Sequence, residues 1–382
     1  MKAPSRRLQV LIKAAESAPS VAGLPCAVRS VFRAGRELSP ERIVVIGADA
    51  AFLQRWSFQF QSSGAAVVSD RFGAEALDPR LPVLALDEDA FPDEGGLTDF
   101  FVSAEALGAA KRVVDGRVVA AYAREGAQWG AGRSAPDDVR ARVLFAPAEL
   151  SSRGAFFDAA TPQRRAEAET ALFARLAKAN DGYLARFDRK LSLALTRLML
   201  PFAITPNMVT GASLVLGLVG AWGLAAASAR EQFVGAMVLW FCALLDGCDG
   251  EIARLKLHMT EFGGDFDLWA DHLAHLATFV ALPIGVARLN PGENWWIPGV
   301  MLVTGFLACG FSVWWLVLRL PEDKRGALSL AVERIASRDY VYLILALTSV
   351  GHLEWFVWAA ALGSHVFWAW LWWAARLRPA EA

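Results

Sequence analysis

The chain has 382 residues, a formal net charge of −1 and 55% hydrophobic residues, with a mean hydropathy of +0.34. A near-neutral chain with no basic stripe interleaved with aromatics gives no reason to expect a nucleic-acid partner. Its four cysteines, Cys26, Cys242, Cys248 and Cys309, show no paired spacing and read as reduced, packed thiols rather than disulfides or a zinc site.

In chain order, the first 35 or so residues read as a basic helix and a connector. "MKAPSRRLQVLIKAAESAPS" carries positive charge but lacks an apolar core long enough for a signal peptide, so the soluble part is expected to stay in the cytoplasm. Arg42–Asp49, Ala65–Asp70, Leu81–Asp89 and Arg142–Leu150 read as short buried strands, with helix-like segments such as Ser103–Val113 among them. Strands alternating with helices predict a soluble, Rossmann-like α/β domain over residues 1–160. "IGADAAF" has only one of the glycines a dinucleotide loop needs and reads as a strand-to-helix turn. This half shows no catalytic constellation.

Residues 161–204 open with a capping Thr161 and Pro162 at the first helical position. Arg and Lys alternate there with Leu, Phe and Tyr at helical spacing, as in an amphipathic juxtamembrane helix on an anionic leaflet, or a plain interdomain helix. Thirteen of the 15 tryptophans follow residue 200, and the apolar runs there approach the roughly 20 residues that span a bilayer. Six transmembrane helices are expected near 205–228, 231–254, 266–287, 296–319, 339–353 and 355–375. With the N-terminus inside, the inner segments gather Arg164, Arg165, Arg175, Lys178, Arg186, Arg189, Lys190, Arg197, Arg254, Lys256, Arg319, Lys324, Arg325, Arg334, Arg338, Arg376 and Arg378, and the outer loops keep Arg230 and Arg288. That asymmetry predicts an integral protein of the cytoplasmic (inner) membrane with both termini inside. Tryptophans at span ends, such as Trp295, Trp296 and Trp373, read as interfacial anchors.

Between two such runs lies "DGCDGEIARLKLHMTEFGGDFDLWAD". Charge at membrane depth is costly and needs a partner or a task. Asp246 and Asp249 are three apart, Asp267 and Asp271 four apart, so each pair shares a helix face. Two antiparallel helix ends would aim four carboxylates at one place, where they would repel or take up protons. Hard oxygen ligands suit Mg²⁺ or Mn²⁺, and four carboxylates suggest two divalent cations, as in displacement at phosphorus. Gly250 and Ala253 keep one face open, Arg254 offers a fork for phosphate, and Gly263 lets the chain return to the site. Glu251 and Asp265 read as solvated or supporting residues. His258, His272 and His275 read as packing residues. "DGYLAR" (Asp181 to Arg186) mimics half the pattern without a downstream Gly/Asp/Asp series. A cation or proton pathway in a transporter, or another metal-binding membrane protein, uses the same residue types.

The stretch Asp246-x2-Asp249-Gly250-x2-Ala253-Arg254-x8-Gly263-x3-Asp267-x3-Asp271 resembles the signature of the CDP-alcohol phosphotransferases at all eight positions. The resemblance implies six transmembrane helices over residues 205–376, a cytoplasm-facing dimetal site and a homodimer among membrane lipids. It also implies transfer of a phospho-group from a CDP-linked donor to a hydroxyl acceptor, with release of CMP. Asp246, Asp249, Asp267 and Asp271 would be metal ligands, Asp271 also the base. Gly250, Ala253, Arg254 and Gly263 would line the CDP site. "TPN" (Thr205 to Asn207) also resembles a family feature, though a proline near a helix start has a structural reading. The membrane half is similar to that of bifunctional enzymes that make and use CDP-inositol, which makes inositol phosphate the favoured acceptor. "FDAATPQRRAEAE" (Phe157 to Glu169) resembles the end of their nucleotidyltransferase-like domain. The glycine-rich opening of such a domain is missing near Arg42–Asp49, so a degenerate domain without cytidylyltransferase activity is expected.

Overall fold

The computed structural model describes residues 6–14, 19–69, 77–78, 80–124, 136–144, 149–150, 156–176, 183–319 and 340–376. Asp70, Lys178, Asp181, Gly182, Lys324, Arg325, Arg334, Arg338 and Arg378 lie outside them. The chain divides into two compact units, residues 1–179 with 252–258, and residues 180–251 with 259–382.

The first unit begins with β1 (Arg6–Lys13), the small hairpin β2 (Ser20–Val21) and β3 (Leu24–Pro25), and helix α1 (Cys26–Leu38). There follow β4 (Pro40–Ile46), α2 (Ala50–Arg55), α3 (Ser57–Ser63), β5 (Val67–Ser69), β6 (Val83–Leu86), β7 (Ala90–Pro92) and α4 (Gly96–Leu107). β8 (Ala109–Val114), β9 (Arg117–Ala123), α5 (Pro136–Val143), β10 (Glu149–Leu150), β11 (Phe156–Asp158) and α6 (Pro162–Ala174) complete it. Seven strands form one sheet in the order β10-β8-β9-β6-β1-β4-β5. β4, β5, β1 and β6 run parallel, and β9 runs antiparallel to both β6 and β8. The sheet is therefore mixed. Both faces are covered, which explains the unbroken apolar runs. Leu8, Val10 and Ile12 share one core with Val28 and Val31 of α1 and Phe100 of α4. Leu11, Val44 and Val83 share another with Val139 and Val143 of α5.

Three local expectations are corrected. The basic N-terminal segment is the central strand β1, not a helix. Leu8 to Ile12 are all 0% exposed, and a short run buried on both faces carries no period that separates strand from helix. Gln9, in its middle, is satisfied by Asp78, donating to the carbonyl at 2.7 Å and accepting from the N–H at 3.0 Å. Ser103–Val113 is split: α4 ends at Leu107, Gly108 turns at φ +81°, and β8 follows. Arg142 and Val143 finish α5, so of Arg142–Leu150 only Glu149 and Leu150 are extended among the described residues. The cap at Thr161 forms as expected, its hydroxyl accepting from Arg164 N–H at 3.3 Å.

The second unit is helical. It comprises α7 (Tyr183–Met199), α8 (Pro206–Leu224), α9 (Ala229–Leu255), α10 (Glu261–Leu289), α11 (Trp296–Val313), α12 (Tyr340–Val350) and α13 (Leu353–Arg376). α11 continues as a π-helical turn through Leu318. Among the described residues, four segments are long and apolar enough to cross a membrane: Pro206–Leu224, Ala229–Leu255, Glu261–Leu289 and Trp296–Val317. Helices suit that setting because each closes its own backbone hydrogen bonds. Glycines bring backbones into contact where lipid gives no hydrophobic drive. A β-carbon at Gly285 of α10 would lie 2.0 Å from the Leu224 carbonyl oxygen, and one at Gly235 of α9 2.6 Å from Leu224 N.

α9 and α10 are joined by a tight elbow. Buried Leu257 adopts a left-handed conformation, φ +51°. Thr260 then caps α10, its Oγ1 accepting the Gly263 N–H at 2.8 Å. This elbow links the two helices that carry the acid cluster.

Candidate active site

Asp246 and Asp249 project from α9, and Asp267 and Asp271 from the opening turns of α10. One carboxylate oxygen each from Asp246, Asp249 and Asp267 lies within 4.8 Å of the others. Asp246 and Asp249 are each 7% exposed, and Asp267 is half-buried. Asp271 stands apart from this trio. One turn further along α10, it shares a cavity of about 30 Å³ with Asp246, walled by Cys242, Ala274, His275 and Tyr340. Asp246 thus faces both the trio and the cavity.

Neighbouring helices hold these groups in place. Thr210 of α8 donates its hydroxyl to Asp249 Oδ2 at 2.5 Å, and the Gly250 N–H bonds Asp249 Oδ1. Thr205 caps α8, accepting the Met208 N–H at 3.4 Å, and Pro206 fills the first position, in keeping with the structural reading of that proline. Sequence reasoning gave Thr205–Asn207 little functional weight and did not consider Thr210, yet Asn207 and Thr210 both reach this region. Asn207 Oδ1 would lie 3.1 Å from a β-carbon at Gly263, and Thr210 reaches Asp249 directly. Gly263 has a second reason to be bare, since the same β-carbon would come 2.7 Å from Thr260 Oγ1 and displace the cap. Gly250 and Ala253 are half-buried, and Arg254 is exposed on the last turn of α9.

Of the two readings given for Glu251, the solvated one is corrected and the supporting one fits: it is 0% exposed and held by Arg189, Ser192 and Thr196 of α7. Asp265 is exposed as expected. His272 bonds the Leu268 carbonyl one turn back at 2.7 Å, and His275 packs among the rings of Phe279, Phe306 and Tyr340. Both fit the packing reading. In the turn after α9, burial first and the Lys256 charge second push His258 below the ordinary histidine value.

Chemically, the trio is a set of hard oxygen donors, buried or half-buried, close enough to share one small charge. That donor set fits Mg²⁺ or Mn²⁺ and poorly suits a soft metal. Like carboxylates at this spacing repel strongly unless a cation or protons sit between them.

The CDP-alcohol phosphatidyltransferase family model matches residues 203–375. That stretch is therefore similar to a CDP-alcohol phosphatidyltransferase domain, in agreement with the resemblance read from the signature. The relatives it resembles include the bifunctional IPC transferase and DIPP synthase of Rubrobacter xylanophilus, 33% identical over 129 residues, 34% of this chain and 29% of that protein. The enzyme of the same name from Archaeoglobus fulgidus is 33% identical over 154 residues, 40% of this chain and 29% of that protein. The CDP-diacylglycerol–serine O-phosphatidyltransferase of Helicobacter pylori is 32% identical over 111 residues, 29% of this chain and 44% of that protein. The chain thus spans less than a third of the length of the bifunctional relatives named here. Among solved structures, Mycobacterium tuberculosis phosphatidylinositol phosphate synthase with CDP-DAG bound is similar over 50% of this chain and 96% of its own, at 21% identity and a TM-score of 0.33.

Proposed function

We propose that the protein is a divalent-metal-dependent CDP-alcohol phosphotransferase. It would pass the phospho-group of a CDP-linked donor to a hydroxyl acceptor and release CMP. The observation that carries this reading is the convergence of the Asp246, Asp249 and Asp267 carboxylates at the junction of α9 and α10, inside the eight-position signature. The names of the relatives support it. CDP-diacylglycerol or a CDP-inositol-like molecule is the donor class, and inositol phosphate the favoured acceptor. Six membrane spans, a cytoplasmic site facing inward from the inner membrane and a homodimer complete the proposal.

In this mechanism Asp246, Asp249 and Asp267, with Asp271 beside them, would hold two divalent cations, Mg²⁺ or Mn²⁺. Bound divalent cations neutralise diphosphate charge and favour displacement at phosphorus. Arg254 engages the donor phosphates through its planar fork, and Gly250, Ala253 and Gly263 leave room for the CDP moiety. The acceptor hydroxyl forms its bond to the β-phosphorus as the bond to CMP breaks, and its proton passes to the Asp271 carboxylate. Asp271 suits this part because it lies outside the trio and lines the small cavity that it shares with Asp246.

The first unit is read as a diverged nucleotidyltransferase-like domain without cytidylyl transfer. The first strand is β1 rather than the run at Arg42–Asp49, and supporting the reading, the sequence between β1 and α1 holds a single glycine, Gly23.

The test is CMP release by the lipid-reconstituted protein with Mg²⁺ or Mn²⁺, offered CDP-diacylglycerol and CDP-inositol against a panel of hydroxyl acceptors. Metal-dependent release abolished by Asp271→Asn supports the reading. Tight metal binding with no CMP from any donor overturns it in favour of a transporter or metal-binding protein.

A further inference from the structure

Glu251 lies inside the signature at a position the pattern leaves open, and the mechanism does not use it. A carboxylate with no solvent exposure is destabilising unless its oxygens are fully bonded. Here they are. Oε1 accepts from Ser192 Oγ at 2.6 Å and from Arg189 Nη1 at 3.1 Å, and Oε2 accepts from Thr196 Oγ1 at 2.7 Å. The three donors stand at 189, 192 and 196, one face of α7 at helical spacing. Ser192 is 4% exposed and Thr196 0%. The two helices also approach closely beside this network: Cys248 Sγ bonds the Ser192 carbonyl at 3.4 Å, and a β-carbon at Gly247 would meet the Ser192 side chain at 3.6 Å.

We propose that Glu251 is a positioning residue, which fixes the metal-ligand turn of α9 by locking it to helix α7 through Arg189, Ser192 and Thr196. Two residues along a helix turn the side chain by roughly 200°, so Glu251 points away from the face that carries Asp249. It therefore acts through the helix and not as a ligand. On the opposite side Thr210 of α8 grips Asp249 itself at 2.5 Å. The acid-bearing turn is held between two helices, one bonding the ligand and one bonding the backbone segment that carries it. α7 has the character of a surface helix, with Leu184, Phe187 and Leu198 exposed beside Arg186, Lys190 and Arg197. Its stripe of Arg189, Ser192 and Thr196 meets Glu251.

The inference rests on the reading of the aspartates as metal ligands, and the experiment separates the two. Mn²⁺ is titrated into the reconstituted protein and followed by the paramagnetic resonance of the free ion, with unfolding midpoint and KM for the CDP-linked donor measured alongside. Glu251→Gln is expected to weaken Mn²⁺ binding about 10- to 100-fold, the range for groups that orient ligands. Ser192→Ala and Thr196→Val, placed on the other helix, should weaken it in the same direction by less. Their effects should not add to that of Glu251→Gln, because they break one network. If Glu251→Gln fails to fold, the two α7 variants decide the matter. Variants that unfold more easily yet bind Mn²⁺ as wild type overturn the proposal and leave the metal reading intact. A wild-type protein that binds no Mn²⁺ overturns both.

Discussion

The Thr210 hydroxyl donates to Asp249 at 2.5 Å, joining the first helix of the membrane half to a metal-ligand candidate 39 residues later. Both partners are buried, at 2% and 7% exposed. The bond uses one lone pair of a carboxylate whose other oxygen takes the Gly250 N–H, so Asp249 has little freedom to rotate. Thr210→Val keeps the shape and removes the donor. It should raise the Mg²⁺ or Mn²⁺ concentration needed for half-maximal CMP release by roughly 10- to 100-fold, with the unfolding midpoint little changed. An unaltered metal requirement would show that the bond does not orient the ligand.

Glu37, near the end of α1, caps a helix other than its own. It accepts N–H groups from Gly95 at 3.1 Å, Leu97 at 3.1 Å and Thr98 at 3.2 Å, at a helix start where Gly95 supplies no side chain. Glu37→Ala should cost about 1 kcal/mol, as for loss of a cap, read by denaturant unfolding. Burial, the largest influence, raises this carboxyl above its ordinary 4.5 despite the backbone bonds that lower it. The folded state then binds the proton more tightly than the unfolded state. Its contribution to stability is fullest below 4.5 and declines as pH rises through the raised value. Glu37→Gln should remove that decline as pH rises above 4.5, and parallel curves for the two proteins would refute the assignment.

Arg117 gathers three acids of the first unit. Its Nη2 lies 2.8 Å from Asp87 and 2.5 Å from Asp89, and its Nη1 3.8 Å from Asp158. Removing the cation leaves mutually repelling carboxylates, two of them buried. Breaking a wholly buried pair costs about 3–5 kcal/mol, but the Arg117 side chain is 32% exposed and solvent screens part of this. Arg117→Met should destabilise the unit by roughly 1–3 kcal/mol. Restoration by Asp89→Asn in the same chain would confirm that charge, not packing, is at stake.

Burial pushes the Cys26 thiol up to about 12 at a site with no solvent exposure. At pH 8 almost none is thiolate, the reactive form. Maleimide should leave Cys26 unmodified in the native protein and label it after denaturation, as read by peptide mass spectrometry. Native labelling at the denatured rate would contradict the packing described.

The sequence announces the site more clearly than the fold. The spacing of Asp246, Asp249, Gly263 and Asp267 is a local code, set by helix period and elbow length, and it survives into three dimensions as the carboxylate trio. Glu251 had no such code. Arg254 and Lys256 lie within five residues, which suggests an ion pair on its own helix, whereas its partner Arg189 lies 62 residues upstream. Thr210 was hidden for the same reason, a polar residue in an apolar run whose purpose depends on a helix not yet placed. In the first unit, β4 and β6 were legible as β-branched runs, but β1 was masked by its basic flank. Glu149 and Leu150 pair with β8 through only two residues, too few to carry a period.

The elbow at Leu257 places a constraint on how the chain can change length. A leucine held at φ +51° is costly for a residue with a β-carbon, and the cap at Thr260 begins only three positions later. Between them these two devices consume most of the spacer from Arg254 to Gly263, leaving no slack to absorb an extra residue. An insertion there would rotate Asp267 by roughly 100° around the axis of α10, away from Asp246 and Asp249. The ruler that keeps the two halves of the acid cluster in phase is thus the loop between them, and single-residue insertions or deletions in 255–260 should be far less tolerated than substitutions at the same positions.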